Sequence, residues 1–224
     1  MFRFVLVVIV LFFYKPCSGQ DTIPTFKWYN KSGFKLVASP TILVSYGIYV
    51  YRNHGFYSSY DSHSDIIQNY PNFHSNIDNV TQFLPPFIVF GLNAAGYKGR
   101  SKNLDAAILS SSSLILTTAI VQGLKYSVRE IRPDGSAFNS FPSGHTATAF
   151  VGAEIMHQEY GYKSIWYSII GYGFATFTGT LRMLNNRHWQ SDVLVGAGIG
   201  IFSTKFSYFV KDKINKRKNR IINE

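Results

Sequence analysis

Cysteine is nearly missing from this chain: Cys17 stands alone among 224 residues, so neither an internal disulfide nor a multi-thiolate metal site can form within it. Charge is scarce as well, at 15% of residues, and acidic residues are the scarcer sign, 12 against 22 Lys and Arg. A chain that is 46% hydrophobic and 17% aromatic with so little charge is too apolar for disorder and poor in charge for a soluble domain; it points to a membrane. No long Pro/Gly/Ser linker divides it, so one domain is expected. The net charge of +10 would suit nucleic acid if it lay on a basic stripe interleaved with aromatics, but it gathers instead in KDKINKRKNR, residues 211–220, directly after an apolar stretch. The positive-inside rule reads such a segment as a cytoplasmic tail, residues 211–224, beside a bilayer.

An apolar run of spanning length is also absent from the N-terminus. MFRFVLVVIVLFFY offers one Arg and about eleven apolar residues before KPCSGQD, which fits a signal or targeting segment over 1–19, cleaved near Gly19 or Gln20, better than a helix of about 20 residues. Residues 36–52 are apolar but interrupted by Pro40. Between 53 and 84, Ile66, Ile67, Tyr70, Phe73, Ile77, Val80 and Leu84 recur at steps of three and four, with Pro71 breaking the pattern. We therefore expect an interfacial region over 20–83, with an amphipathic segment lying on the membrane surface.

Clearer apolar segments follow at 83–97, 104–124, 144–159, 164–184 and 189–209, the third and fourth joined by a short turn at 161–163. Within them Ser110–Ser113 and the pair Gly196 and Gly200 read as small-residue helix contacts. The fold class is thus all-α, a helical-bundle integral membrane protein with about five to six embedded helices, its main domain over 84–210. A cytoplasmic 211–220 puts the loops 98–102 and 161–163 inside and the loop 125–142 and His188 outside. A translocated N-terminus and a full crossing at 36–52 are incompatible with that order. Either 36–52 is interfacial or re-entrant, or residues 1–19 are not translocated.

Three groups on that outer face carry chemistry. Lys125 ends one apolar helix, with Arg132 and Pro133 after it in KYSVREIRP; a mobile ammonium beside a rigid guanidinium fork suits a phosphate with several oxygens. In NSFPSGHTATAF, Pro142, Ser143 and Gly144 open a helix whose free amides and dipole form an anion site, and His145 falls in its first turn. In RMLNNRHWQSD, Arg182 precedes His188, and Asp192 stands four residues after His188. A carboxylate there can hold one imidazole nitrogen protonated and leave the other as nucleophile or base. Read singly, His145 is equally an interfacial cap and His188 with Asp192 a surface ion pair. Together on one face they form equipment for phosphoryl transfer through a covalent phosphohistidine.

These blocks, Lys125-x6-Arg132-Pro133, Pro142-Ser143-Gly144-His145 and Arg182-x5-His188-x3-Asp192, resemble the signature of the type 2 phosphatidic acid phosphatase superfamily, which also holds bacterial acid phosphatases and vanadium haloperoxidases. The resemblance runs over about residues 104–205, and RPDGSAFNSFPSGHTATAF with RMLNNRHWQSDVLVGAGIG is similar to a membrane subgroup including lipid A 4'-phosphatases of Gram-negative envelopes. The family's third block usually begins Ser-Arg; here Leu181 precedes Arg182, which removes a hydroxyl but not the cation.

The resemblance implies that His188 attacks phosphorus, that Asp192 orients its ring, and that His145 protonates the leaving oxygen and then activates water. It assigns the phosphate oxygens to Lys125, Arg132, Arg182 and the amides of Ser143 and Gly144. It implies no cofactor and no metal, and a multi-pass place in a bacterial inner membrane with a periplasmic active site. The expected partners are the bilayer and a phosphorylated membrane lipid, lipid A before undecaprenyl diphosphate or phosphatidylglycerol phosphate. A soluble-ester phosphatase and a non-catalytic lipid-binding protein stand as alternatives.

Elsewhere, DSHSD at 61–65 with His74 reads as a solvated loop, not a metal site. Asn79-Val80-Thr81 and Asn30-Lys31-Ser32 match a glycosylation triplet that is a frequent accident. Asn185, Asn186 and Arg187 read either as head-group contacts or as loop caps.

Overall fold

The computed structural model describes residues 32–222, and every ordered element among them is helical; the targeting segment expected at 1–19 lies outside the described residues. The helices are α1 (Ser32–Tyr49), α2 (Ser59–Asn69), α3 (Asp78–Thr81), α4 (Leu84–Ala94), α5 (Asn103–Val128), α6 (Gly144–Tyr160), α7 (Ile165–Leu184) and α8 (Gln190–Ile222). The last five match the apolar segments of the sequence, and α8 continues unbroken through the basic stretch at 211–220.

Two of them, α5 and α8, are long and apolar enough to cross a membrane. They differ in surroundings: most of the apolar window of α8 is buried inside the bundle, whereas two thirds of that of α5 is not. Leu104, Ile108, Leu114 and Ile115 of α5 stay exposed, as do Ile165, Trp166, Ile169 and Phe177 of α7. Such a belt is costly in water and is what a lipid-facing surface requires.

At the centre, α6 packs against α7 and α8 through small residues. A side chain on Gly196 would meet the carbonyl of Ser143 at 2.6 Å, and one on Gly200 would collide with that of Ala147, so only glycine lets α8 approach the start of α6 this closely. The serine run divides, with Ser111 and Ser112 exposed and the other two turned inward. Ser110 and Ser113 are buried, with their hydroxyls donating to the carbonyls of Ala106 (2.8 Å) and Leu109 (2.6 Å) one turn back.

Helix α1 lies lengthwise and antiparallel on α8. Lys205 Nζ donates to Ser39 Oγ at 2.8 Å near one end, and Gly47 meets Val195 and Leu194 near the other. Residues 36–52 thus run along the bundle instead of across its end, and α1 begins at the end where α8 carries its basic residues. At that same end Arg100 Nη2 donates to both carboxylate oxygens of Asp212, at 3.1 and 2.9 Å. The opposite end gathers the C-terminus of α5, the N-termini of α6 and α8, and the C-terminus of α7, so the three chemical blocks share one face, as the charge pattern requires.

Over that face lies the segment 53–83. Its first part is a helix, not the solvated loop expected of DSHSD: Ser58 and Asp61 form a reciprocal capping box, and α2 stops at Asn69, two residues before Pro71. The segment is fastened to the bundle by polar side chains. His63 Nε2 meets Asn186 Oδ1 at 2.7 Å, Ser59 Oγ accepts from the Ser191 amide at 3.1 Å, and Asn185 exchanges two hydrogen bonds with the backbone of Ser75, at 2.8 and 2.7 Å. Thr81 and Thr178 share a buried hydroxyl bond of 2.8 Å.

Candidate active site

His188 is buried, at 3% exposure, in the loop between α7 and α8, and Asp192 in the first turn of α8 is fully enclosed. The ring Nδ1 stands 3.5 Å from Asp192 Oδ2. That oxygen also accepts from Ser140 Oγ at 2.5 Å and from the Trp189 amide at 2.9 Å, which fixes the carboxylate against the loop. Because the carboxylate faces Nδ1, Nε2 is the nitrogen left for chemistry. Burial pushes the His188 imidazole below its ordinary value, the charges of Lys125 and Arg182 push the same way, and Asp192 opposes them.

The last turn of α5 and the loop that follows it supply two cations. Helix α5 ends where Arg129 turns left-handed, at φ 50°, and Lys125 in its last turn reaches across to the carbonyls of Asn139 and Ser140. Arg132 Nε donates to Asn139 Oδ1 at 2.8 Å. The same loop is pinned from beneath: the buried Glu130 accepts from Tyr51 and, at 3.2 Å, from Arg52 at the end of α1. Trp189 Nε1 donates to the Ile131 carbonyl at 2.8 Å.

Ser143 caps α6 by position but not by the expected bond. Its hydroxyl pairs with that of Thr146 at 2.9 Å, and its amide donates to the Asp192 carbonyl at 3.0 Å. The Ser143 amide is therefore committed within the protein, which corrects its expected place as a phosphate donor. It joins the helix mouth to the His188 block instead. The amides of Gly144, His145 and Thr146 follow it in the first turn, where a helix offers no internal acceptor.

His145 in that turn meets Asn79 Oδ1 through Nε2 at 2.8 Å, and Arg182 Nη1 pairs with the buried Asp78 at 2.5 Å. Both partners come from α3. Among the described residues Arg182 Nε and Asp192 Oδ1 are buried without a hydrogen-bond partner. A buried guanidinium with an unspent donor, beside two further cations and a helix N-terminus, is a site prepared for anionic oxygens.

Every residue singled out from the sequence, Lys125, Arg132, Ser143, Gly144, His145, Arg182, His188 and Asp192, thus falls at this one end of the bundle. Asn185, Asn186 and Arg187 are spent on loop contacts, the last with Asp134 at 3.1 Å. No three of the described His, Cys, Asp and Glu residues cluster as a metal site. Three participants escaped sequence reasoning. Ser140 sits two residues before Pro142 but carries no pattern of its own, while Asp78 and Asn79 lie more than sixty residues from the groups they touch.

The family model of the PAP2 superfamily matches residues 106–216. A curated protein of Porphyromonas gingivalis named lipid A 1-phosphatase is 48% identical over 143 residues, which are 63% of this chain and 32% of that protein. The chain therefore spans about a third of the length of that relative. Two crystal structures have a similar fold. Aquifex aeolicus LpxE is 22% identical, covers 65% of this chain and 93% of its own, and superposes with a TM-score of 0.50. The first transmembrane PAP2-type phosphatidylglycerolphosphate phosphatase from Bacillus subtilis is 17% identical, covers 81% and 98%, and also has a TM-score of 0.50.

Proposed function

We propose that this chain, whose residues 106–216 belong to the PAP2 superfamily, is a membrane phosphatase that removes phosphate from a lipid, with lipid A as the favoured substrate. The observation that carries the reading is the buried His188 and Asp192 pair facing three cations and the first turn of α6. Its nearest support on substrate is the name of the Porphyromonas gingivalis relative, which acts at the 1-position.

In this mechanism Nε2 of His188 attacks phosphorus and a nitrogen–phosphorus bond forms as the bond to the lipid oxygen breaks. His145 gives that oxygen its proton. Water then enters, His145 takes a proton from it, and its oxygen displaces His188 to release inorganic phosphate. Lys125, Arg132, Arg182 and the free amides at the start of α6 hold the equatorial oxygens where negative charge grows. The chain supplies nucleophile, acid, base and counter-charges from its own side chains. The site faces the periplasm in this reading, because the basic residues of α8 lie at the other end of the bundle and belong in the cytoplasm of an inner membrane.

Phosphate release by the purified protein in detergent tests the reading, with lipid A, undecaprenyl diphosphate, phosphatidylglycerol phosphate and a soluble aryl phosphate as substrates and chelator in excess. Preference for lipid A is expected, undiminished by the chelator. Turnover of the aryl phosphate alone would replace a lipid substrate with a soluble one, and loss of activity on chelation would overturn the mechanism.

The pH dependence follows from burial of His188. The nucleophile must be neutral, so activity falls as pH drops through its pKa, and a lowered pKa keeps it neutral further into acid. The acid limb of kcat/KM, which reports the free enzyme, should therefore lie below the ordinary histidine value of about 6.5. A limb above that value would contradict the assignment.

A further inference from the structure

We propose that Asn79 is a positioning residue for His145: its side-chain oxygen accepts the proton on Nε2, so that Nδ1 is the nitrogen that exchanges protons with the leaving oxygen and with water. The inference rests on the proposed role of His145 as acid and base.

The geometry is local and specific. Asn79 Oδ1 lies 2.8 Å from His145 Nε2, and an amide oxygen can only accept, so Nε2 carries hydrogen and the neutral ring leaves Nδ1 bare. A ring with one nitrogen so engaged has a single nitrogen free to take and return a proton. An imidazole acting as acid in one step and base in the next needs this, because a switch of tautomer between steps would take the lone pair away from the reacting oxygen.

The segment holding Asn79 is anchored well enough to place it. Immediately before it, Asp78 is 1% exposed and pairs with Arg182; two residues after it, Thr81 is 4% exposed and bonds Thr178. Asn79 itself is on the surface between these two buried anchors, with no packing role that would explain its aim at His145. The dipeptide Asp78-Asn79 therefore sets two groups at once, a phosphate-facing guanidinium and an acid–base imidazole. The segment that the sequence offered only as a membrane-surface element is part of the catalytic apparatus.

The charges that face His145 come from Arg182 on α7, Asp78 on α3, and His188 and Arg132 in the loops. Asn79 adds a directed acceptor to this set without adding charge. Its replacement by Asp keeps the acceptor and adds a negative charge; replacement by Ala removes both acceptor and aim. These two variants separate positioning from support of the fold.

The test is made on the full-length protein in detergent micelles with histidine labelled by nitrogen-15, which reads the tautomer of His145 directly, and by kinetics on lipid A. The wild type should carry its proton on Nε2, and Asn79→Ala should turn this into a mixture of tautomers. A ring protonated on Nδ1, or a tautomer unchanged by Asn79→Ala, would overturn the proposal whether or not the protein hydrolyses lipid A. With an active wild type, Asn79→Ala should lower kcat by about 10- to 100-fold at nearly constant KM. Asn79→Asp should recover most of kcat and move the alkaline limb of kcat/KM up by about one pH unit. Wild-type kcat and limb positions in both variants would remove Asn79 from the apparatus but leave the phosphatase reading standing. Absence of turnover by the wild type on every phosphate ester would end that reading while the tautomer measurement still decides the contact.

Discussion

His188→Ala should lower phosphate release by at least about 10,000-fold, since removing the nucleophile of a covalent mechanism takes away the reaction path and not one of several supports. The protein should still fold. His188 occupies a small polar pocket with Ser140 and Asp192, and its loss leaves Asp192 still held by Ser140 Oγ and the Trp189 amide. His188→Gln offers the same loss of turnover with less empty space. Phosphate release by either variant within about tenfold of the wild type would remove His188 from the mechanism and leave His145 as the only imidazole at the helix mouth. Unfolding of both variants would instead mean that the ring carries structural weight that its polar surroundings do not indicate. Melting and turnover, measured on one preparation, separate these results.

Arg182→Ala should cost both stability and rate, and the two losses can be pulled apart. The carboxylate of Asp78 is 1% exposed and has the Arg182 guanidinium as its partner. Stripping the cation leaves a buried charge uncompensated, which typically costs about 3–5 kcal/mol. Replacing both members, Asp78→Leu with Arg182→Met, removes the stranded charge and should bring stability back toward the wild type. Turnover should not follow, because the guanidinium that meets the phosphate is still missing; a deficit of about 100- to 1,000-fold is expected to persist. If the double variant regained turnover with stability, Arg182 would serve only to seat α3.

Much of the candidate site was legible because its residues are written in contiguous blocks. Pro142, Ser143 and Gly144 announce a helix start, and the four-residue step from His188 to Asp192 brings the two together although α8 begins only at Gln190, which leaves His188 in the loop before it. The apolar runs marked α4 to α7 and the start of α8 to within a few residues, since a membrane helix must satisfy its backbone internally and shows its length as unbroken apolarity; the end of α8 was missed because the helix continues through the basic stretch to Ile222. The same property hid the packing. A helix apolar on all sides carries no stripe to say which face meets a neighbour, so only Gly196 and Gly200 betrayed contacts.

The region 53–83 was the least readable, and for a different reason. Its apolar residues Ile67, Tyr70, Phe73, Ile77 and Val80 do repeat at helical steps, yet they are exposed, so the pattern marks an outer face and not the side that does the work. The working side is polar and bonds to distant partners: Asp78 to Arg182, Asn79 to His145, His63 to Asn186. Such pairs span 66 to 123 residues, and no local periodicity encodes them. Helix α1 resisted reading likewise, because Pro40 argues against a continuous helix, whereas packing along α8 keeps one.

In the proposed mechanism phosphate passes through His188. Lipid A carrying radioactive phosphate at the scissile position, mixed with the purified protein and quenched in alkali within a turnover, tests it most directly, because phosphohistidine survives base. Label should appear on the chain, confined to the peptide that contains His188 and absent from His188→Gln. Steady release of phosphate with no label on the chain, or label that persists in His188→Gln, would contradict it.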